Sequence, residues 1–247
     1  MLEDGRVVET VAGTPQGASA SPLLANIFLH YASDLWVARW RRRHATGDMI
    51  VVRYADDQIV GFEHRRDAER FLADLRERLA RFGLRLHPEK TRLIEFGKGA
   101  IAARRARGLG RPETFDFLGF THFCGTRRDG SGFVLGRKPV RERMRARLRT
   151  IGETLRRLMH DDVAAIGRWL GRVVRGWFAY FAVPGSMRWL AAFRHWVVRA
   201  WLTALRRRSQ KHRMTWGRIA GIADRFLPRA RILHPWPEAR FAVTHPR

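Results

Sequence analysis

Residues 50–62 read IVVRYADDQIVGF, with two adjacent aspartates, Asp56 and Asp57, between two runs of Val, Ile and Phe. The β-branched content and the length of each run predict two short strands joined at the Asp pair. Neighbouring carboxylates repel each other unless something positive sits between or before them. Mg²⁺ would meet that need, since it takes hard oxygen ligands and binds through one or two carboxylates plus substrate phosphates. The alternative is an ordinary hairpin turn, where Asp is common for its own backbone hydrogen bonds. On these residues alone the turn is the favoured reading, because a short motif match is only a hypothesis.

Elements of both types surround the hairpin. Upstream, SPLLANIFLHYASDLWVARW follows the Gly-bracketed turn GTPQGASASP, with Ser21 placed to cap a helix and Pro22 at its first position. Leu24, Ile27, Tyr31 and Leu35 recur at helical spacing and predict a buried face. Downstream, a helix is predicted from about Asp67 to Phe82, with Phe71, Leu75, Leu79 and Phe82 on one side and Gly83 as its stop. LRL, the turn HPEKT and a short strand RLIEF follow. Helices and antiparallel strands in this order predict an α+β layer.

Residues 97–112, GKGAIAARRARGLGRP, read as a mobile basic loop. TFDFLGFTHF and SGFVLG are expected strands around a turn at RRDGSG, and from about Val140 the pattern is helical. In RWLGRVVRGWFAYF, Trp169, Val173, Trp177 and Phe181 form one ladder, and Leu170, Val174 and Phe178 a second. That stripe is wide enough for a core face. A further helix at 187–209 is expected to turn Trp189, Phe193, Trp196 and Ala200 inward. HDD at 160–162 reads as a helix-capping turn.

Charge divides the chain unevenly. Residues 1–97 carry 15 Lys or Arg against 14 Asp or Glu, whereas residues 98–247 carry 33 against 9, out of a formal net charge of +25. With only four lysines, the preference for Arg has a compositional explanation, but the scarcity of acids does not. A compact half this basic repels itself unless a polyanion neutralises it, which favours nucleic acid over an anionic membrane. At 247 residues and 45% hydrophobic the chain can bury a real core. The single cysteine, Cys124, excludes an internal disulfide and a Cys-based zinc site. No stretch approaches the roughly 18 apolar residues of a membrane span, and MLEDGRVVET lacks a signal-peptide layout, so a cytoplasmic protein is expected.

Four motifs, taken together, change the odds on the Asp pair. GTPQG at 13–17, YADD at 54–57, HPEKT at 87–91 and FDFLGF at 115–120 resemble, in order and approximate spacing, the later palm motifs of reverse transcriptases. The nearest likeness is to the proteins encoded by bacterial group II introns, with GWFAYF and its Trp- and Arg-rich surroundings similar to the maturase-specific region. The resemblance implies an α+β partial right-hand palm at 1–125, an antiparallel sheet with packed helices. An all-α thumb/maturase domain then follows, with the thumb and start of the maturase region at 126–185 and a basic helical region at 186–247.

By position, the resemblance makes Asp56 and Asp57 catalytic metal ligands. Lys90 becomes a group beside the triphosphate, a proton donor or electrostatic stabiliser. Tyr54 and Ala55 would lie by the primer end and incoming nucleotide, and Gln16 and Gly17 by the nucleotide and template. Phe117, Leu118 and Gly119 would form the primer-gripping hairpin. Implied partners are intron RNA, an RNA template with a DNA primer, and dNTPs. Arg168, Arg172, Arg175, Arg206, Arg207 and Arg208 are the candidate RNA contacts.

The sequence departs from the family in one respect that bears on activity. A two-metal site needs a further aspartate on a strand preceding GTPQG, and only 12 residues precede Gly13. Their acids, Glu3, Asp4 and Glu9, sit around a Gly5 turn in what reads as the hairpin just before that motif, which is not the context of the missing aspartate. The expectation is therefore a truncated portion with an incomplete Mg²⁺ site, served at most by an upstream polypeptide carrying the missing palm strand. The competing readings are a polymerase-inactive RNA-binding maturase module and a decayed intron remnant.

Overall fold

The computed structural model describes residues 2–3, 6–7, 20–127, 130, 132–208 and 214–236. Two compact units divide the chain, residues 1–94 and 95–247.

The first unit begins with β1 (Leu2–Glu3) and β2 (Arg6–Val7), a short antiparallel pair. Helix α1 (Ser21–Leu29) starts one residue earlier than the cap pattern predicts, with Ala20 at the cap. It runs through a π-helical turn, His30–Asp34, into α2 (Leu35–His44). Strands β3 (Met49–Tyr54) and β4 (Asp57–Phe62) pair antiparallel from Met49↔Phe62 to Tyr54↔Asp57, so the predicted hairpin forms with its tip at the Asp pair. Helix α3 (Arg65–Ala80) closes over it, ending where Gly83 takes φ +68° and Leu84 N–H donates to the Leu79 carbonyl. The core joins Val37 and Trp40 to Met49, Phe71, Leu75 and Leu79.

Two expectations fail, one on the first helix and one at residues 92–96, where the two units meet in sequence. Leu24, Ile27, Tyr31 and Leu35 are 44–61% exposed, and α1 buries no residue; the buried positions are Ala32, Ser33, Val37 and Trp40. A π turn inserts an extra residue, which rotates the following face away from the simple helical repeat. RLIEF forms no strand, because its backbone has no neighbouring strand to pair with among the described residues.

In the second unit, residues 97–112 are not simply a loop: Ala100–Ala106 is helix α4. The Ala-rich AIAARRA has high helical propensity, and Arg104 and Arg107 both pair with Glu95. Strands β5 (Phe115–Phe117), β6 (Phe120–Thr126) and β7 (Phe133–Pro139) form an antiparallel sheet in sequence order. Helices α5 (Arg141–Arg157), α6 (Val163–Phe181), α7 (Met187–Arg206) and α8 (Trp216–Phe226) complete the unit. Asp162 caps α6 by accepting from Ala165 N–H at 2.9 Å, as the HDD turn predicts.

The α6 ladders do line the core, where Leu170 and Val174 are fully buried and Trp169, Val173 and Trp177 pack at its margin. On α7 the inward face is Leu190, Phe193, Val197 and Trp201. Trp196 instead points outward, 44% exposed, with the Arg199 guanidinium 5.0 Å from its ring centre. No helix among the described residues is long and apolar enough to cross a membrane.

Candidate active site

The β3–β4 tip is a two-residue turn, Ala55–Asp56, between the paired Tyr54 and Asp57. Ala55 has φ +53°, a left-handed value that a side chain tolerates only at a cost of about 1–2 kcal/mol. Positive φ at the first turn residue and not at the second is the pattern of hairpin turns whose twist matches that of the strands. Strain of this kind persists where the surroundings over-determine it, and Arg53 supplies the constraint.

Alternation along β3 turns Met49, Val51 and Arg53 toward the helices. The Arg53 guanidinium grips Asp34 through two bonds, 2.7 Å from Nε to Oδ1 and 2.6 Å between Nη2 and Oδ2. Its Nη1 donates to Asn26 Oδ1 at 2.9 Å and to the Ala55 carbonyl at 2.8 Å. One side chain thus ties α1 and the π turn to the hairpin tip. Its hydrogen bonds hold the Asp34 carboxyl below the usual carboxylate range, and the same pairing raises Arg53. From α3, Arg78 donates to the carbonyls of Ala32 and Tyr31 in the π turn, both at 3.0 Å.

Sequence reasoning missed both Arg53 and Asp34. The available signal was alternation: it puts an arginine at an inward strand position, and an inward arginine requires an acid.

Asp56 and Asp57 are exposed, and among the described residues neither side chain makes a hydrogen bond or an ion pair. The nearest cation in sequence, Arg53, is fully engaged elsewhere. The tip therefore presents two free hard-oxygen donors with no internal counter-charge, the donor type that Mg²⁺ takes. No group of three or more His, Cys, Asp or Glu gathers there or elsewhere among the described residues.

The other predicted residues are distributed as follows. Tyr54 and Ala55 share the tip, with Tyr54 64% exposed. Lys90 is exposed in a turn at 88–90, and no hydrogen bond or ion pair links it to the tip carboxylates. Gln16 and Gly17 lie outside the described residues. In the second unit, Phe117 ends β5, and Leu118 and Gly119 form a two-residue turn with φ +47° and +78°. Tyr180 donates to the Leu118 carbonyl at 2.7 Å. The positive φ favours glycine at 119, whereas a Cβ there would meet only the end of the Arg143 side chain, which can move aside. Arg168, Arg172 and Arg175 are exposed on α6. Arg206 and Arg208 donate to the carbonyls of Met214 (2.9 Å) and Asp161 (2.5 Å), while Arg207 is exposed.

Residues 2–122 match the reverse transcriptase (RNA-dependent DNA polymerase) family. This span is just under half of the chain, and it contains the Asp56–Asp57 hairpin, the Lys90 turn and the Leu118–Gly119 turn. The match supports a reverse-transcriptase-like, nucleotidyl-transferring kind of function, whose general substrates are an RNA template and nucleotides. The chain matches none of the curated proteins with which it was compared.

Proposed function

We propose that the chain is the later palm, thumb and maturase portion of a group II intron reverse transcriptase, working in the cytoplasm on intron RNA, an RNA template with its DNA primer, and dNTPs. The observation that carries this reading is the pair of unpartnered carboxylates, Asp56 and Asp57, on a braced turn inside the matched segment. These two residues would hold Mg²⁺, whose bound form activates a 3′-hydroxyl for in-line attack and neutralises the developing phosphate charge. Tyr54 and Ala55 would present the tip to the primer end, and Gln16 and Gly17 would contact nucleotide and template. Lys90 would offer a proton or a positive charge to the departing pyrophosphate. Phe117, Leu118 and Gly119 would hold the primer.

Two carboxylates do not complete a two-metal site, and the third would come from residues outside those described, on this chain or on a separate polypeptide. Primer extension with Mg²⁺, an RNA template, a DNA primer and dNTPs tests this. The purified chain alone is expected to give no product. Product that disappears in Asp56→Ala would show that the chain completes its own site.

A second reading is favoured by the arginines of the second unit. Helix α5 alone carries seven Arg against two Glu. A maturase needs RNA contacts and no chemistry from the protein, and Arg168, Arg172, Arg175 and Arg206–Arg208 would add to such a surface. Its RNA affinity would fall steeply with salt as counterions are released; a flat salt response counts against it.

A further inference from the structure

Between α5 and α6 lies an open groove of about 510 Å³ that none of the roles above uses. Arg143, Arg147 and Thr150 line one side, and Trp177 and Tyr180 the other. The two arginines stand one helical turn apart and, among the described residues, their side chains make no hydrogen bond or ion pair. Like charges at this spacing repel, so the wall favours an anion.

The opposite wall is aromatic and fixed from behind. Trp177 stacks on the buried Phe193 with ring centres 4.3 Å apart and planes 10° apart. Tyr180 stacks on Phe120 at 5.6 Å and 18°, its hydroxyl is held by the Leu118 carbonyl, and it remains 49% exposed. Free guanidinium groups facing the rigid, exposed Tyr180 ring, with the half-buried Trp177 beside it, match a nucleotide, with phosphate on one side and base on the other. The volume exceeds that of a phosphate and falls in the usual range of about 300–1,000 Å³ for small-ligand sites.

We propose that this groove binds an unpaired nucleotide of an RNA strand, its base against Tyr180 and Trp177 and its phosphate on Arg143 and Arg147. The base must be unpaired because a stacked duplex offers no free base face to a ring. The inference rests on the RNA-binding reading above and adds a location and a strand preference to it. Tyr180 also holds the Leu118–Gly119 turn, so an occupied groove bears directly on that turn.

The test uses the full chain and fluorescence anisotropy with a labelled single-stranded RNA and a duplex of equal length. The expected result is tighter binding of the single strand. Arg143→Gln/Arg147→Gln should weaken it about tenfold and lower the salt slope by about 1–2. Tyr180→Ala should also cost about tenfold, while Tyr180→Phe, which keeps the ring, stays within about twofold. Arg147 is exposed on its helix, so Arg147→Gln alone decides the matter if Tyr180→Ala does not fold. Unchanged single-strand binding in the arginine variants would overturn the groove as the site and leave the proposed function standing. Equal or tighter duplex binding with no dependence on Tyr180 would overturn the unpaired nucleotide. If the unmodified chain binds no RNA at low salt, both readings fall.

Discussion

If Arg53 braces the Asp56–Asp57 turn, replacing it with methionine should loosen the β3–β4 hairpin while keeping the aliphatic stem packed. Four hydrogen bonds are lost, two of them to the Asp34 carboxylate. Their side chains are 17% and 33% exposed for Arg53 and Asp34, so solvent screening limits the ion pair to about 1 kcal/mol. The bonds to Asn26 and to the Ala55 carbonyl add about 1 kcal/mol each, less the side-chain entropy recovered. The net expectation for Arg53→Met is about 2 kcal/mol. At about 1.4 kcal/mol per factor of ten, amide exchange across residues 49–62 should quicken roughly thirtyfold, read by hydrogen-exchange mass spectrometry. A double-mutant cycle with Asp34→Asn should show coupling of about 1 kcal/mol. Exchange within about threefold of the unmodified chain, or a cycle with no coupling, would refute the brace.

Acid should act on the two units at different pH. Burial, and then the nearby Arg137, lower His122, which stacks on Phe115 at 4.9 Å. A histidine kept neutral by the fold contributes stability that is present above its ordinary value of 6.5 and lost as pH falls through the lowered value. Asp34 is lowered by Arg53, and Asp67 by the Thr46 backbone N–H, so their contributions persist down to the ordinary carboxylate value of 3.8 and fade below it. The second unit should therefore lose stability first on acidification, and His122→Phe should remove that early loss, as followed by pH-dependent denaturant melts. Separately, Gly136→Ala should destabilise the β6–β7 pair by about 1–3 kcal/mol in the same melts, because an added Cβ would meet the Phe123 ring at 2.2 Å.

The hairpin, the α3 face and the α6 ladders were legible because each rests on a strong local period: two in the strands, and three to four in the helices. The π turn was not, since HYASD holds nothing that distinguishes it from ordinary helix, and what sustains it is Arg78 reaching from α3 to two carbonyls. The exposed face of α1 shows the limit of periodicity, which marks an apolar stripe without saying what covers it. Gly and Arg at 97–112 concealed α4, whose helix draws on Glu95 just outside that stretch. At the candidate site, Asp56 and Asp57 could be named from a motif, whereas their brace could not. Asp34 lies 19 residues from Arg53, and only the folded chain brings them together.

The central claim, that Asp56 and Asp57 are metal ligands, is tested most directly by titrating Mn²⁺, a paramagnetic stand-in for Mg²⁺, into the isotope-labelled chain. The account predicts selective broadening of amide signals at Tyr54–Asp57, abolished in Asp56→Asn/Asp57→Asn and competed by excess Mg²⁺. Broadening that leaves the tip untouched, or that survives the double substitution, would contradict it.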